Sequence, residues 1–234
     1  MLANERKEKI IDLLKSQGRA DLEELSNLTE GSVSTLRRDL NDLESDGKLR
    51  RVHGGAELPH ILSEELTISQ KSVKNVHEKV LIATTALSKI SDGDVLFLDA
   101  GTTTGAMIPG LVKSYKHLTI VTPSVTHASR LLSENLIVYI LGGRVKRTTD
   151  AMIGSAALAQ LSNYRFNTAF VGANAFDKKL GAMTPDSDEA ALKSLAIAQS
   201  DKAYLVIDSS KIGQTSFVKF AEAKAVQVIT EEDR

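Results

Sequence analysis

Two groups of residues in this 234-residue chain have the types and spacing to do chemistry, and they lie far apart along it. The first is the run 32–51, SVSTLRRDLNDLESDGKLRR. In a helix, Val33, Leu36, Leu40 and Leu43 recur at steps of three and four and line one stripe for burial. The opposite face then presents Ser34, Thr35, Arg37 and Arg38, short hydroxyls and guanidinium groups suited to base edges and phosphates, and Ser32 just ahead of them, counted with them as a DNA contact, can cap the first free amides of the helix. The helix stops near Gly47, and residues 48–53 alternate weakly before Gly54-Gly55, as a short basic strand and turn would. That places Arg50, Arg51 and His53 in a wing, where His53 is open between a phosphate contact and turn packing. A lone amphipathic helix with solvated charges shows the same pattern, so the reading depends on what precedes it.

The second group is spread over four segments that each follow a short apolar run: Asp99-Ala100-Gly101-Thr102-Thr103-Thr104, Gly142-Gly143-Arg144, Gly172-Ala173-Asn174 and Asp208-Ser209-Ser210-Lys211. Glycine lets backbone approach a ligand, and hydroxyls with the amides of a starting helix offer donors to a phosphate, to which Lys211 adds positive charge. The same Asp-Ala-Gly-Thr segment also serves as an ordinary helix cap. It is neither a Walker loop nor a dinucleotide fingerprint, since no Gly-Lys-[Ser/Thr] follows and no G-x-G-x-x-G is present. Asp186, Asp188, Glu189 and Lys193 form a charged cluster with the groups for proton transfer on a sugar phosphate. Its plainer reading is a helix start with acids near the positive end and Glu189 paired to Lys193 four residues on.

The elements that must position these groups follow from periodicity. Helices are expected over 5–17, with Ile10, Ile11 and Leu14 inward, and over 21–28, opened by Asp21 with Glu24 in a carboxylate capping box. A helical pair joined by the tight turn 29–31 lays the second helix, 32–47, in a major groove. Residues 57–76 carry Pro59, scattered charge and no clean period, and are expected to link a domain at 1–56 to one at 77–234. Beyond them, near-continuous apolar runs at 95–98, 118–121, 136–141, 168–171, 203–207 and 225–229 alternate with helical stretches at 77–90, 103–112, 124–132, 152–161 and 188–199. Such alternation implies a mainly parallel α/β sheet with helices on its faces, and it brings the four loops to one edge.

Arg6, Ile10, Leu14, the LEEL of 22–25, TLRRDLNDLE at 35–44, Gly47 and RRVHGGA at 50–56 resemble the signature of the DeoR family of bacterial winged helix-turn-helix regulators. One departure is Gly31, where the family usually carries an apolar residue before the serine. DAGTTT, ILGGRVKR, FVGANAF, the DSDEAALK of 186–193 and DSSK resemble the same family's effector domain, whose fold is similar to ribose-5-phosphate isomerase. The resemblance covers nearly the whole chain. It implies that Gly101, Thr102, Thr103 and Thr104 hold a phosphate, that Asp99, Asp186 and Glu189 hold sugar hydroxyls, and that Lys211 meets either. Gly143, Arg144 and Asn174 are expected beside them.

Composition bounds the function classes. Charge is nearly balanced, and residues 1–56 hold ten Lys and Arg against eleven Asp and Glu, so attraction to DNA must come from clustering at Arg37, Arg38, Lys48, Arg50 and Arg51. There is no cysteine, no secretory signal and no apolar run long enough to span a bilayer, which fits a cytoplasmic protein without a membrane partner. The five histidines are dispersed without H-E-x-x-H spacing, so neither a metal nor a cofactor is expected. The expectation is a non-enzymatic repressor of a carbohydrate-utilisation operon, a dimer or tetramer whose affinity for double-stranded operator DNA is changed by a phosphorylated sugar. The alternative is a sugar-phosphate isomerase-like enzyme. Against it, the segment where such isomerases carry D-G-A-D-E reads Val171-Gly172-Ala173-Asn174-Ala175.

Overall fold

The helix that carries the RRD motif is held from below by leucines and from the side by a buried ion pair. The computed structural model describes residues 2–29, 31–59, 62–132 and 135–233, and the chain divides into two units, Met1–Ile61 and Leu62–Arg234. In the first, helices α1 (Ala3–Gln17), α2 (Leu22–Thr29) and α3 (Val33–Ser45) surround a core of Ile10, Leu14, Leu25, Leu36, Leu40, Leu43 and Leu49. Strands β1 (Arg19–Asp21), β2 (Arg50–Val52) and β3 (Gly55–Glu57) form an antiparallel sheet in the order β1-β3-β2. The two expected caps form. Asp21 and Glu24 exchange reciprocal bonds of 2.8 and 3.1 Å, and Ser32 Oγ accepts from the Thr35 amide at 3.3 Å.

Val33 does not join the buried stripe. It is the first residue of α3 and 51% exposed, because no core lies beyond that end of the helix. Asp39 occupies the buried face instead, 4% exposed and gripped by Arg6 at 2.8 and 3.2 Å. A carboxylate so placed requires its cation. Gly31 leaves room rather than a fault in packing, since a Cβ there would meet Thr29 Oγ1 at 3.6 Å and nothing closer. Gly55 is different: a Cβ would stand 2.2 Å from the Ala20 carbonyl oxygen, so the approach of β3 to β1 needs glycine.

The stretch 57–76, expected as a linker, is divided by the fold. Glu57 lies in β3, while residues 62–76 belong to the second unit. There Leu62 O accepts from the Phe217 amide at 3.1 Å, and the Ile68 amide donates to Thr148 O at 2.8 Å. Helix α4 (Ile68–Ser72) is opened by a Thr67–Gln70 capping box. A single helical turn leaves too few residues to show a period.

The rest of the second unit runs α5 (Val76–Leu87), β4 (Val95–Leu98), α6 (Thr102–Gly105), α7 (Ile108–Ser114), β5 (Leu118–Thr122), α8 (Val125–Leu131), β6 (Leu136–Ile140), β7 (Arg144–Lys146), β8 (Ala151–Ile153), α9 (Ser155–Leu161), β9 (Phe166–Val171), β10 (Ala175–Asp177), β11 (Gly181–Thr184), α10 (Ser187–Ala198), β12 (Ser200–Val206), β13 (Val218–Ala221) and β14 (Gln227–Ile229). Six strands pair in parallel in the order β14-β12-β9-β4-β5-β6. Leu96 and Leu98 pack one face with α5 and α7, through Ile82, Ala86, Ile108 and Leu111. Phe97 packs the other with α9 and α10, through Ala157, Leu161, Ala190 and Ala196. The chain starts in β4, goes outward to β5 and β6, then returns to the other side of β4, so the order reverses between β4 and β9.

The small antiparallel pieces, β7 with β8 and β10-β11-β13, were not foreseen, being strands of three or four residues. The expected helix over 152–161 begins only at Ser155, because Gly154 at φ +98° separates it from β8. The stretch 103–112 splits into α6 and α7 around Met107, with Pro109 in the first turn of α7.

Helix α8 places His127 inside this unit. Its amide is capped by Ser124 Oγ at 3.0 Å, and its ring is 4% exposed and lies against Gly105, where an added Cβ would come 2.8 Å from Nε2. Burial holds the imidazole down to about 4, against the pull of nearby Asp99. The folded state therefore keeps His127 neutral while the unfolded chain protonates near 6.5. Its contribution is complete above 6.5 and is lost as pH falls towards 4, a difference of about 3 kcal/mol. Urea denaturation between pH 6.5 and 4 should show that fall, and a His127→Gln variant should show a visibly flatter profile.

Candidate functional site

On the first unit the amino-terminal end of α3 is a cluster of donors. Ser32 Oγ lies 2.9 Å from both Ser34 Oγ and Thr35 Oγ1. Ser32, Ser34, Arg37 and Arg38 are exposed, and Thr35 is half-buried. Arg37 and Arg38 make no hydrogen bond or ion pair among the described residues, whereas the wing arginines do. Arg50 Nε donates to Glu57 at 2.9 Å across the wing, and Arg51 binds Asn41 of α3 while its amide donates to Glu44 at 2.8 Å. Lys48 pairs with Asp46 at 3.3 Å. The wing is thus tied to α3 by groups read from sequence as phosphate contacts, and His53 stands exposed at its tip. Exposed Val33 adds an apolar element to the same helix end; its place as the first helical residue was the available signal.

In the second unit the carboxyl ends of the parallel strands lead into Asp99, Gly142, Gly172 and Asp208. Asp99 stands at the reversal between β4 and β9, 5% exposed. Its Oδ2 accepts from the Gly172 amide at 2.9 Å and from Lys193 Nζ, which also donates to Gly172 O at 3.2 Å. The expected pairing of Glu189 with Lys193 is replaced by these longer-range contacts. Thr104 is closed off as well: fully buried, its hydroxyl donates to Asp99 O at 2.6 Å and Gly101 O at 2.8 Å. Thr103 is buried, while Gly101 and Thr102 remain half-buried.

Asp186 and Glu189 are brought together by Lys146, a residue that the sequence reading did not single out. Lys146 Nζ lies 2.9 Å from Asp186 Oδ2 and 3.1 Å from Glu189 Oε1, and it also binds Glu65. Burial works against the Lys146 charge, but the three carboxylates outweigh it and hold its pKa above the ordinary lysine range. For Asp186, burial likewise opposes charge, but the Glu189 amide at 2.9 Å and Lys146 keep the carboxyl below its usual value. Thr149 donates to Glu189 at 2.5 Å. No local pattern announces partners 40 to 80 residues apart.

The remaining expected residues are distributed around this centre. Arg144 pairs with Asp188 at 3.3 Å in an exposed contact. Gly143 sits at φ +150°, where a Cβ would stand 2.7 Å from Ile153 O. Asn174 accepts from Thr184 Oγ1 at 3.2 Å. Lys211 is half-buried in a short turn after β12 and has no side-chain partner among the described residues. Helix α4 packs against α6 and brings Lys71 within electrostatic reach of Glu65, Glu189, Lys193 and Lys211. Lysines and carboxylates thus alternate around this centre, with Lys146 among Glu65, Asp186 and Glu189 and Lys193 on Asp99.

Comparison with known proteins agrees with this division. Residues 6–61 match the model of the DeoR-like helix-turn-helix domain, and residues 74–232 match that of the DeoR C terminal sensor domain. A Bacillus subtilis protein named as the uncharacterized HTH-type transcriptional regulator FruR is 44% identical over 98% of this chain and 91% of its own length. The lactose phosphotransferase system repressor of Staphylococcus aureus is 33% identical over 98% of this chain and 92% of its own. The solved ribose 5-phosphate isomerase A of Methanocaldococcus jannaschii aligns at a TM-score of 0.45 and 15% identity, over 59% of this chain and 55% of that one. Among the described residues, no helix is long and apolar enough to cross a membrane. The chain belongs to the DeoR family of helix-turn-helix transcriptional regulators, with its DNA-binding domain first and its sensor domain after it.

Proposed function

We propose that this regulator represses a carbohydrate-utilisation operon and that a phosphorylated sugar bound in the sensor domain changes its affinity for the operator. The observation that carries the reading is that α4, packed beside the half-buried Gly101-Thr102 turn at the reversal of the sheet, brings Lys71 within electrostatic reach both of Glu189, held with Asp186 on Lys146, and of Lys211, whose amine has no side-chain partner among the described residues. Phosphate would meet the Lys211 amine, and the carboxylates would accept from sugar hydroxyls. Asp99, engaged by Lys193 and Gly172, acts as the anchor of the loop rather than as a free acceptor. The relative named as the lactose phosphotransferase system repressor supports the carbohydrate assignment.

On the DNA side, Arg37 and Arg38 read bases or phosphates from α3, Ser32, Ser34 and Thr35 line its entry, and Arg50, Arg51 and His53 contact the backbone from the wing. One winged unit makes a small interface, so a homo-oligomer, a dimer or tetramer, places units on repeated half-sites. Ligand binding alters repression only as far as it favours one arrangement over another, typically by about 1 to 3 kcal/mol. Against isomerase chemistry, residues 171–175 carry no acid, Asp99 is paired with Lys193, and Asp186 and Glu189 are held on Lys146.

Replacing Arg37 or Arg38 with Ala should weaken operator binding by about 1 to 3 kcal/mol in gel-shift titration. Unchanged binding would remove that residue from the interface. A Thr102→Glu variant, which sets a carboxylate in the half-buried turn, should bind operator normally yet ignore every member of a sugar-phosphate panel that shifts the wild type. A variant still answering the panel would move the pocket elsewhere.

A further inference from the structure

The segment expected to be a tether carries an amine whose charge is poorly matched. Four lysines gather at the sensor site besides Lys211, and three of them are well satisfied. Lys146 has three carboxylates, Lys193 has Asp99 and the Gly172 carbonyl, and Lys79 donates to the carbonyls of Lys71 and Lys74. Among the described residues, Lys71 has an ion pair only with Glu65, at 3.7 Å, beyond hydrogen-bond distance. Glu65 is turned to Lys146 through Oε2, and its buried Oε1 has no hydrogen-bond partner. The Lys71 side chain is nevertheless only 26% exposed. Burial holds it below the ordinary lysine range, against the pull of Glu65 and Glu189 and helped by the weaker repulsion of Lys193 and Lys211.

A largely buried ammonium that meets its nearest carboxylate only at 3.7 Å, shares that carboxylate with Lys146 and stands near two further ammoniums has donors left over for an anion. The helix that carries it, α4, packs against α6 and hence beside the Gly101-Thr102 turn. We infer that Lys71 is a direct ligand of the effector's anionic group, which it shares with Lys211, so that residues 62–76 form one wall of the binding site. This rests on the sugar-phosphate reading above and adds a residue to it from outside the loops at the sheet edge. The anion neutralises Lys71 and Lys211 together, while the sugar hydroxyls face Asp186 and Glu189.

The test is calorimetric titration of the full chain with fructose 1-phosphate, tagatose 6-phosphate and inorganic phosphate. Lys71→Gln should weaken binding of whichever probe the wild type takes by about ten-fold or more, the loss expected for a charge-assisted contact. Lys71→Arg should retain most of the affinity, and Lys74→Gln, an exposed charge on the same segment, should change nothing. A second measurement needs no variant: amine acetylation of the wild type followed by mass spectrometry should show Lys71 protected when the bound probe is present. Equal binding by Lys71→Gln, or an unprotected Lys71 in the saturated protein, overturns this inference and leaves the sugar-phosphate reading intact. Failure of the wild type to bind any phosphorylated probe overturns both.

Discussion

A carboxylate buried at the end of a central strand has to be neutralised where it stands, and the sensor domain is built around that requirement at Asp99. Lys193 reaches it from α10, and the Gly172 amide reaches it from the end of the neighbouring strand, so one side chain fastens together the two strands between which the sheet order reverses. Breaking such a pair by removing one partner leaves an uncompensated charge, which costs far more than the intact pair contributes. The fastening also sets the turn that follows, because Asp99 O and Gly101 O both accept from the buried Thr104 hydroxyl. Only Gly101 and Thr102 are then left at the surface of that loop. The proposed effector site therefore stands on an ion pair already engaged within the fold.

A second centre, Lys146, does for the carboxylates what Lys193 does for Asp99. It draws Asp186 and Glu189 from the first turn of α10 and Glu65 from the segment before α4 onto a single ammonium. With three acids against one base, the cluster needs the amides and hydroxyls that surround it, and the Glu189 amide and Thr149 supply them. The position of the β7–β8 hairpin, which carries Lys146, is what makes acids distant in sequence into neighbours.

Much of this architecture was legible in the residues and some of it could not be. The leucines of α3 and the near-continuous apolar runs of the parallel strands carry their own periodicity, so the helix-turn-helix and the α/β sheet were readable. Val33 broke its pattern because burial stops where the helix does, and Asp39 entered the core because Arg6, 33 residues earlier, is there to meet it. Strands of three residues, such as β1, β7 and β8, have too little alternation to be told from turns. At the candidate site the loops were found, but local spacing paired Glu189 with Lys193 while the fold gave each a partner far along the chain. Lys146 and Lys71 were passed over for the same reason: a lysine inside a basic or mixed stretch resembles solvated charge until the strand or turn that bears it is placed.

The ion pairs of the wing bear on how this regulator responds to salt. A basic residue that meets a DNA phosphate releases a condensed counterion, roughly 0.9 per phosphate neutralised. Lys48 and Arg50, however, already face Asp46 and Glu57, so their transfer to phosphate leaves a carboxylate behind that gathers a cation from solution. The two exchanges largely cancel. On the proposed interface, the dependence of operator affinity on ionic strength would accordingly rest on Arg37, Arg38 and Arg51, which face no carboxylate among the described residues, and would be shallower than the basic residues of this domain taken together would give.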